Sequence, residues 1–250
     1  SDPDLTAVTP KKVLTKGIRM VATVPSMVAA HHRIRNGLSP VQPDKTLDYA
    51  SSFLYLLFGE QPDPQDAKLL DKDFVLHAEH GSNASTFAAR VAASTGADYY
   101  AAITSAVSVL KGPKHGGAAE AVMQMAQEVG SEENAESYVE SVTSNRGRIP
   151  GFGHPVYQDL DPRSVHLKAD AKALGQRKGQ TKWYAIIEAV ANSHSMQRRA
   201  KLGINPNVDL WSGAIYSLLE IPEDLFVPLF AIGRIPGWTL HLLEQYASRD

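Results

Sequence analysis

Cysteine is absent from the 250-residue chain. Disulfides, thiolate metal sites and a thiol nucleophile are therefore excluded. A charge excess is missing too: 25 lysines and arginines stand against 27 acids, a net charge of −2. A protein built to wrap nucleic acid normally carries a strong basic excess, so no nucleic-acid partner is expected. Sustained period-two alternation, the mark of a half-buried strand, does not occur, nor does an internal repeat. No apolar stretch reads as long enough to cross a bilayer, and the N-terminus lacks the basic-then-apolar plan of a signal peptide. These absences predict a cytoplasmic protein with no membrane partner.

What remains is helical rhythm. Apolar residues make up 43% and charged residues 21%, an ordinary globular balance, and the length suffices for one large domain or two modest ones. Ile103, Val107 and Leu110 share a helix face, as do Ala118, Val122, Met125 and Ala126, and again Trp211, Ile215, Leu218 and Leu219. The predicted fold class is all-α. Gly112-Pro113 and Gly130 read as helix ends, and Ser131 as an N-cap with Glu132 and Glu133 in the first turn. Pro25 is predicted to kink or break a run of helix from about 10 to 35, and Pro236 to interrupt another. Residues 147–162 form the longest stretch without helical rhythm, a Gly/Pro-rich loop of the kind that displays binding groups.

Five clusters carry possible chemistry. His77-Ala78-Glu79-His80 places two histidines three apart on one predicted helix face. The pair suits a shared ion, but the string is not His-Glu-x-x-His and no third ligand is evident, so hydrogen-bonding histidines are the simpler reading. Gly112-Pro113-Lys114-His115-Gly116-Gly117 is either a helix-start turn or a place where a neutral imidazole faces a developing oxyanion. In Ile149-Pro150-Gly151-Phe152-Gly153-His154 two glycines free the backbone to bend around an elongated ligand, although many ordinary turns read the same way; the loop ends on a histidine, with Arg163 following at the next helix start. Arginine offers a fork for a carboxylate, although most arginines are solvated surface groups. In Pro206-Asn207-Val208-Asp209, an acid stands among apolar residues, and either Asn207 or Asp209 reads equally as an N-cap. Gly233-Arg234-Ile235-Pro236-Gly237 sets an arginine beside a predicted helix break.

Together the strings LHAEHGSNASTF, LKGPKHGGAAEAVM, IPGFGHPVYQDLDPR, NVDLWSGAIY and FAIGRIPGWTLHLLEQ resemble the citrate synthase family in order and spacing, from about Lys11 to Gln245. The resemblance implies a large helical domain, residues 1–115 and 220–250, and a smaller CoA-binding one, residues 116–219, that closes over the substrates. It implies a Claisen-type condensation of acetyl-CoA with oxaloacetate, with acetyl-CoA as co-substrate, no tightly bound cofactor, no metal, and a homodimer. Asp209 resembles the base, His115 the donor to the thioester oxygen, and His154 the group that polarises the oxaloacetate carbonyl. His80, Arg163 and Arg234 resemble the carboxylate-holding residues, while Ile149, Pro150, Gly151, Gly153 and Asn207 resemble the CoA-binding segment. The family pattern carries further helices before the position of Ser1 and a tail beyond Gln245 whose arginine reaches the partner subunit's oxaloacetate. Gln158 and Ala119 also depart from the commoner basic and asparagine residues. Rival readings are 2-methylcitrate synthase acting on propionyl-CoA, a citryl-CoA lyase, and an inactive dimerisation or acyl-CoA-sensing domain.

Overall fold

A computed structural model describes residues 2–112 and 115–248; Pro113 and Lys114 of the second cluster lie outside them. Twelve α-helices and two short 3₁₀ turns account for the ordered structure of the described residues, which hold no strand, only an isolated bridge between Phe152 and Pro206. The fold is all-α, as periodicity predicts. The chain divides into two compact units, Ser1–His115 with Pro228–Asp250, and Gly116–Val227.

The first unit contains α1 (Pro10–Arg35), α2 (Tyr49–Phe58), α3 (Pro64–His77), α4 (Ala84–Ser94), α5 (Tyr99–Leu110) and nearly all of α12 (Phe226–Ala247). Its helix starts are written in short polar residues. Asp48, Asp63, Asn83 and Asp98 each accept a backbone N–H of the first turn, and Pro64 occupies the first position of α3, where its missing N–H costs nothing. The core runs along α12: Trp238 and Leu242 are fully buried. Thr239 accepts the Tyr99 hydroxyl of α5 at 2.8 Å, and Trp238 Nε1 donates to Ser85 of α4 at 3.1 Å.

The second unit contains α6 (Ala118–Val129), α7 (Ala135–Ser144), α8 (Pro162–Arg177), α9 (Lys182–Asn192), α10 (His194–Ala200) and α11 (Asp209–Leu218). A 3₁₀ turn, Glu132–Asn134, follows Ser131 and separates that residue from α7. Every residue of α11 except Ser217 is buried, and α6, α8 and α9 surround it. A short apolar helix with almost no polar face can only be a core helix.

Three expectations are corrected. Neither Pro25 nor Pro236 breaks its helix; α1 and α12 run through them. At Pro25 the reason is visible. The carbonyl its absent N–H would have bonded is that of Val21, and this oxygen accepts the Tyr49 hydroxyl at 3.1 Å instead. Third, two helices are after all long and apolar enough to cross a bilayer by length and composition, Pro10–Arg35 and Glu223–Ala247; the second has 72% of its apolar window buried within the fold, the mark of a core helix.

The Pro25 contact is testable by a double-mutant cycle. Tyr49→Phe should cost about 1 kcal/mol in urea unfolding, the usual worth of one hydrogen bond. In a Pro25→Ala background, where an amide N–H again reaches Val21, the same change should cost clearly less.

Candidate active site

In the first unit the candidates gather about the end of α3 and the middle of α12. The helix α3 stops at His77, so His77 and His80 do not share a helix face. His77 is buried and bonds back to Asp73 through Nδ1, whereas His80 sits in the turn that leads to α4. Arg234, expected beside a helix break, lies inside a continuous α12 and is 2% exposed. Its Nε donates to the His77 carbonyl oxygen at 2.5 Å, and its guanidinium carbon lies 4.9 Å from the centre of the Phe230 ring. The edges of His77 and His115 approach the same ring, at 4.7 and 6.1 Å.

His115 stands two residues before the N-cap of α6, and its Nε2 lies 2.9 Å from Ser85 Oγ. That hydroxyl already accepts Trp238 Nε1–H, and its own single proton has two takers, His115 Nε2 and Asn83 Oδ1 at 2.7 Å. Turned to His115, it fixes the tautomer that carries hydrogen on Nδ1. Burial, reinforced by the nearby Arg234 charge, pushes the His115 pKa below the ordinary histidine value. The ring is therefore held neutral.

In the second unit the candidates are tied together by hydrogen bonds. Residues 149–153 lie against 205–207: Gly153 N donates to Asn205 O at 2.8 Å, and Asn207 N to Gly151 O at 2.9 Å. Asn207 Nδ2 donates to Gly153 O while Asn207 Oδ1 accepts Asp209 N; Val208, neither of the two expected residues, holds the N-cap position, and Asp209 is the first residue of α11. Ile149 is core, 6% exposed. Gly151 has φ +78°, and a Cβ there would lie 2.7 Å from Leu210 and 2.8 Å from Val122, so neither its backbone nor its surroundings admit another residue. Phe152, Ser164, Lys168, Met196, Pro206 and Trp211 contribute to a mostly apolar cavity of about 260 Å³ beside this loop.

His154 is set by its backbone. Its Nδ1 accepts N–H groups from Val156 at 3.0 Å and Tyr157 at 3.1 Å, so the proton of the neutral ring must sit on Nε2. Burial first, then the Arg163 charge, lower its pKa and outweigh Asp161, which raises it. Arg163 follows Pro162 at the start of α8, and Nε and Nη2 fork onto the two Asp161 oxygens at 3.0 and 2.8 Å. Asp161 also caps α8 and accepts Val208 N at 3.2 Å, which joins the Arg163 segment to the Asp209 segment. Burial alone would push this carboxyl up; the Arg163 fork and amide overcome it and hold it below the usual range.

Ser85, Phe230, Trp238 and Asp161 were not singled out from sequence. Asp161-Pro162 is a legible helix-start signal. The other three matter only through long-range contacts. Among the described residues no three His, Asp or Glu side chains converge as a metal site.

The described residues are all-helical and carry two hydrogen-bonded imidazoles, two arginines held in ion-pair or carbonyl contacts and an acid at a buried helix start. A family model described as the C-terminal domain of citrate synthase matches residues 1–250. The chain is 49% identical over 239 residues to a citrate synthase of Synechocystis, covering 94% of this chain and 59% of that one. It is 44% identical to citrate synthase 2 of Bacillus subtilis, with 98% and 65% covered. The citrate synthase of Thermoplasma acidophilum, solved as a ternary complex with carboxymethyl coenzyme A and oxaloacetate, superposes with a TM-score of 0.91 at 30% identity, covering 96% of this chain and 64% of the other. This chain belongs to the citrate synthase family, and it spans about three fifths of the length of these relatives.

The neutral histidines have a consequence for stability. The unfolded chain binds protons at ordinary histidine pKa values, the native state only at lower pH, so unfolding takes up protons below about pH 6.5. Stability should therefore fall as pH drops from about 7.5 to 5.5, and His154→Gln should flatten that fall in urea titrations.

Proposed function

We propose that this chain carries the catalytic groups of a citrate synthase, condensing acetyl-CoA with oxaloacetate to give citrate and free CoA. The observation that carries the reading is the pair of neutral histidines, each with one ring nitrogen engaged by the protein. A weakly acidic methyl proton can be removed near neutral pH only if the thioester oxygen receives a hydrogen bond as the proton leaves. With the Ser85 proton turned from Asn83 to His115 Nε2, His115 offers its Nδ1–H to that oxygen. Asp209 takes the proton. The resulting enol carbon bonds to the keto carbon of oxaloacetate, whose oxygen takes the hydrogen of His154 Nε2. Water then cleaves the thioester of citryl-CoA.

His80, Arg163 and Arg234 hold the oxaloacetate carboxylates. Asp161 uses two of the five Arg163 side-chain N–H groups, which leaves three for a substrate. The 149–153 loop recognises the adenine end of CoA through its backbone, supported by the cavity beside Phe152, with Asn207 acting by holding the loop. No tightly bound cofactor or metal is required. We further propose a cytoplasmic homodimer. The exposed Phe87 and Val91, one turn apart on α4, support the pairing, since they set two large apolar side chains on one helix face in water.

Purified protein given acetyl-CoA and oxaloacetate should release thiol, and the cysteine-free chain adds no thiol background. No release with either acetyl- or propionyl-CoA would sink the reading. Asp209→Ala should lower turnover by about 10²–10⁴, the usual worth of a general base, with oxaloacetate binding nearly intact. Collapse of binding with turnover at saturation preserved would refute Asp209 as the base.

A further inference from the structure

The end of α3 and the turn after it lie along one face of α12, and the contacts advance in step. A Cβ on Gly233 would lie 3.1 Å from His77 Cβ and 3.3 Å from the Phe74 carbonyl oxygen. Arg234 donates to the His77 carbonyl. One turn further on, a Cβ on Gly237 would land on the Ala78 carbonyl oxygen and the Glu79 carboxylate. A further turn on, His241 Nε2 reaches Glu79 Oε1 at 2.9 Å. Positions 233, 234, 237 and 241 recur at three- and four-residue steps and so form a single stripe.

This stripe ends on Glu79, the residue before His80. Glu79 Oε1 accepts the Gly81 N–H as well as His241, so one carboxylate oxygen ties the turn across His80 to α12. His241 is itself held. Its Nδ1 lies 3.3 Å from Arg90 Nη1, and a guanidinium can only donate, so Nδ1 accepts and the ring proton must sit on Nε2, toward Glu79. Arg90 is anchored in turn by Glu244 at 3.0 Å and Gln245 at 3.1 Å. The imidazole thus joins Arg90 on one side, with a Glu244 oxygen 3.7 Å from the same Nδ1, to the Glu79 acceptor on the other.

We propose that His241, acting through Glu79, is a positioning residue that sets His80 in place relative to the helix that carries Arg234. The proposal rests on the reading that His80 and Arg234 hold the carboxylates of the 2-oxo acid. The physical reason is preorganisation: a turn residue contributes to binding in proportion to how firmly it is held in the bound geometry. Glutamine can stand in for this histidine, since its amide offers a donor for Glu79 and an acceptor for Arg90 on one planar group. Leucine fills the space and offers neither.

The test compares His241→Leu, His241→Gln and Glu244→Gln, the last removing a charge from the outer end of the network without touching the Glu79 contact. The His80 ring signals in side-chain NMR of the full chain should shift or broaden in His241→Leu, return in His241→Gln and stay put in Glu244→Gln. Oxaloacetate binding by calorimetry should weaken about tenfold in His241→Leu, the loss expected for one hydrogen bond to a charged group. In His241→Leu KM should rise with kcat at saturation little changed, and in His241→Gln binding should recover to within about twofold. Unchanged His80 signals in His241→Leu, a glutamine variant no better than leucine, or equal damage from Glu244→Gln would each overturn the proposal. Failure of the wild-type chain to bind oxaloacetate would instead refute the substrate reading, which the His80 signals do not depend on.

Discussion

A buried guanidinium organises the first unit. Arg234 is almost fully withdrawn from water, and a cation in that position is tolerated only where acceptors and polarisable surfaces replace the lost hydration. The replacement comes from the carbonyl end of α3, where a helix terminus concentrates negative partial charge, and from the face of Phe230. These demands reach outward. The carbonyl must be brought close, which requires that α12 have no side chains at Gly233 and Gly237. The same positive charge helps keep the His115 ring neutral. One desolvated group therefore governs helix spacing, the path of the turn after α3 and the protonation of a neighbouring histidine.

In the second unit an anion has the corresponding place. Asp161 ends one loop, starts α8, holds Arg163 and receives an amide from the segment that begins α11. Its four acceptor sites are all used, which explains why a buried carboxylate stays ionised. Asn207 repeats the device in neutral form, since its two amide atoms close the loop to Gly153 and accept the Asp209 N–H. The glycine loop is thereby tied at both glycines to the segment before α11.

Helix existence was legible because the apolar period is set by the same burial that stabilises the fold. The run around Trp211 reads as a helix face and is one, in a helix buried nearly all round. The Asp, Asn and Pro punctuation was legible for the same local reason. The prolines were misread, because whether Pro25 breaks a helix depends on a hydroxyl that arrives from another helix. His77 and His80 were misassigned to one face because nothing between them marks the stop of α3; the close approach of α12 at Gly237 to the Ala78 carbonyl is a contact that local sequence does not reveal. Ser85, Trp238 and Phe230 carry no local chemical signature and acquire their roles only through contacts made across some 30 to 150 positions of sequence. Residue chemistry marked the ends of these networks, the histidines and arginines, and left the middles unread.

The proline in α1 also bears on how the unit assembles. A helix that lacks one internal hydrogen bond and leaves a carbonyl exposed at its midpoint propagates poorly by itself, since helix growth rewards only uninterrupted bonding. The Tyr49 hydroxyl that completes α1 belongs to the first residue of α2. The two helices are thereby written as one cooperative piece: α1 becomes whole as α2 docks, and fluctuations that lift α2 away should open the centre of α1 before its ends. Order in the longest helix of the chain is thus borrowed from its neighbour.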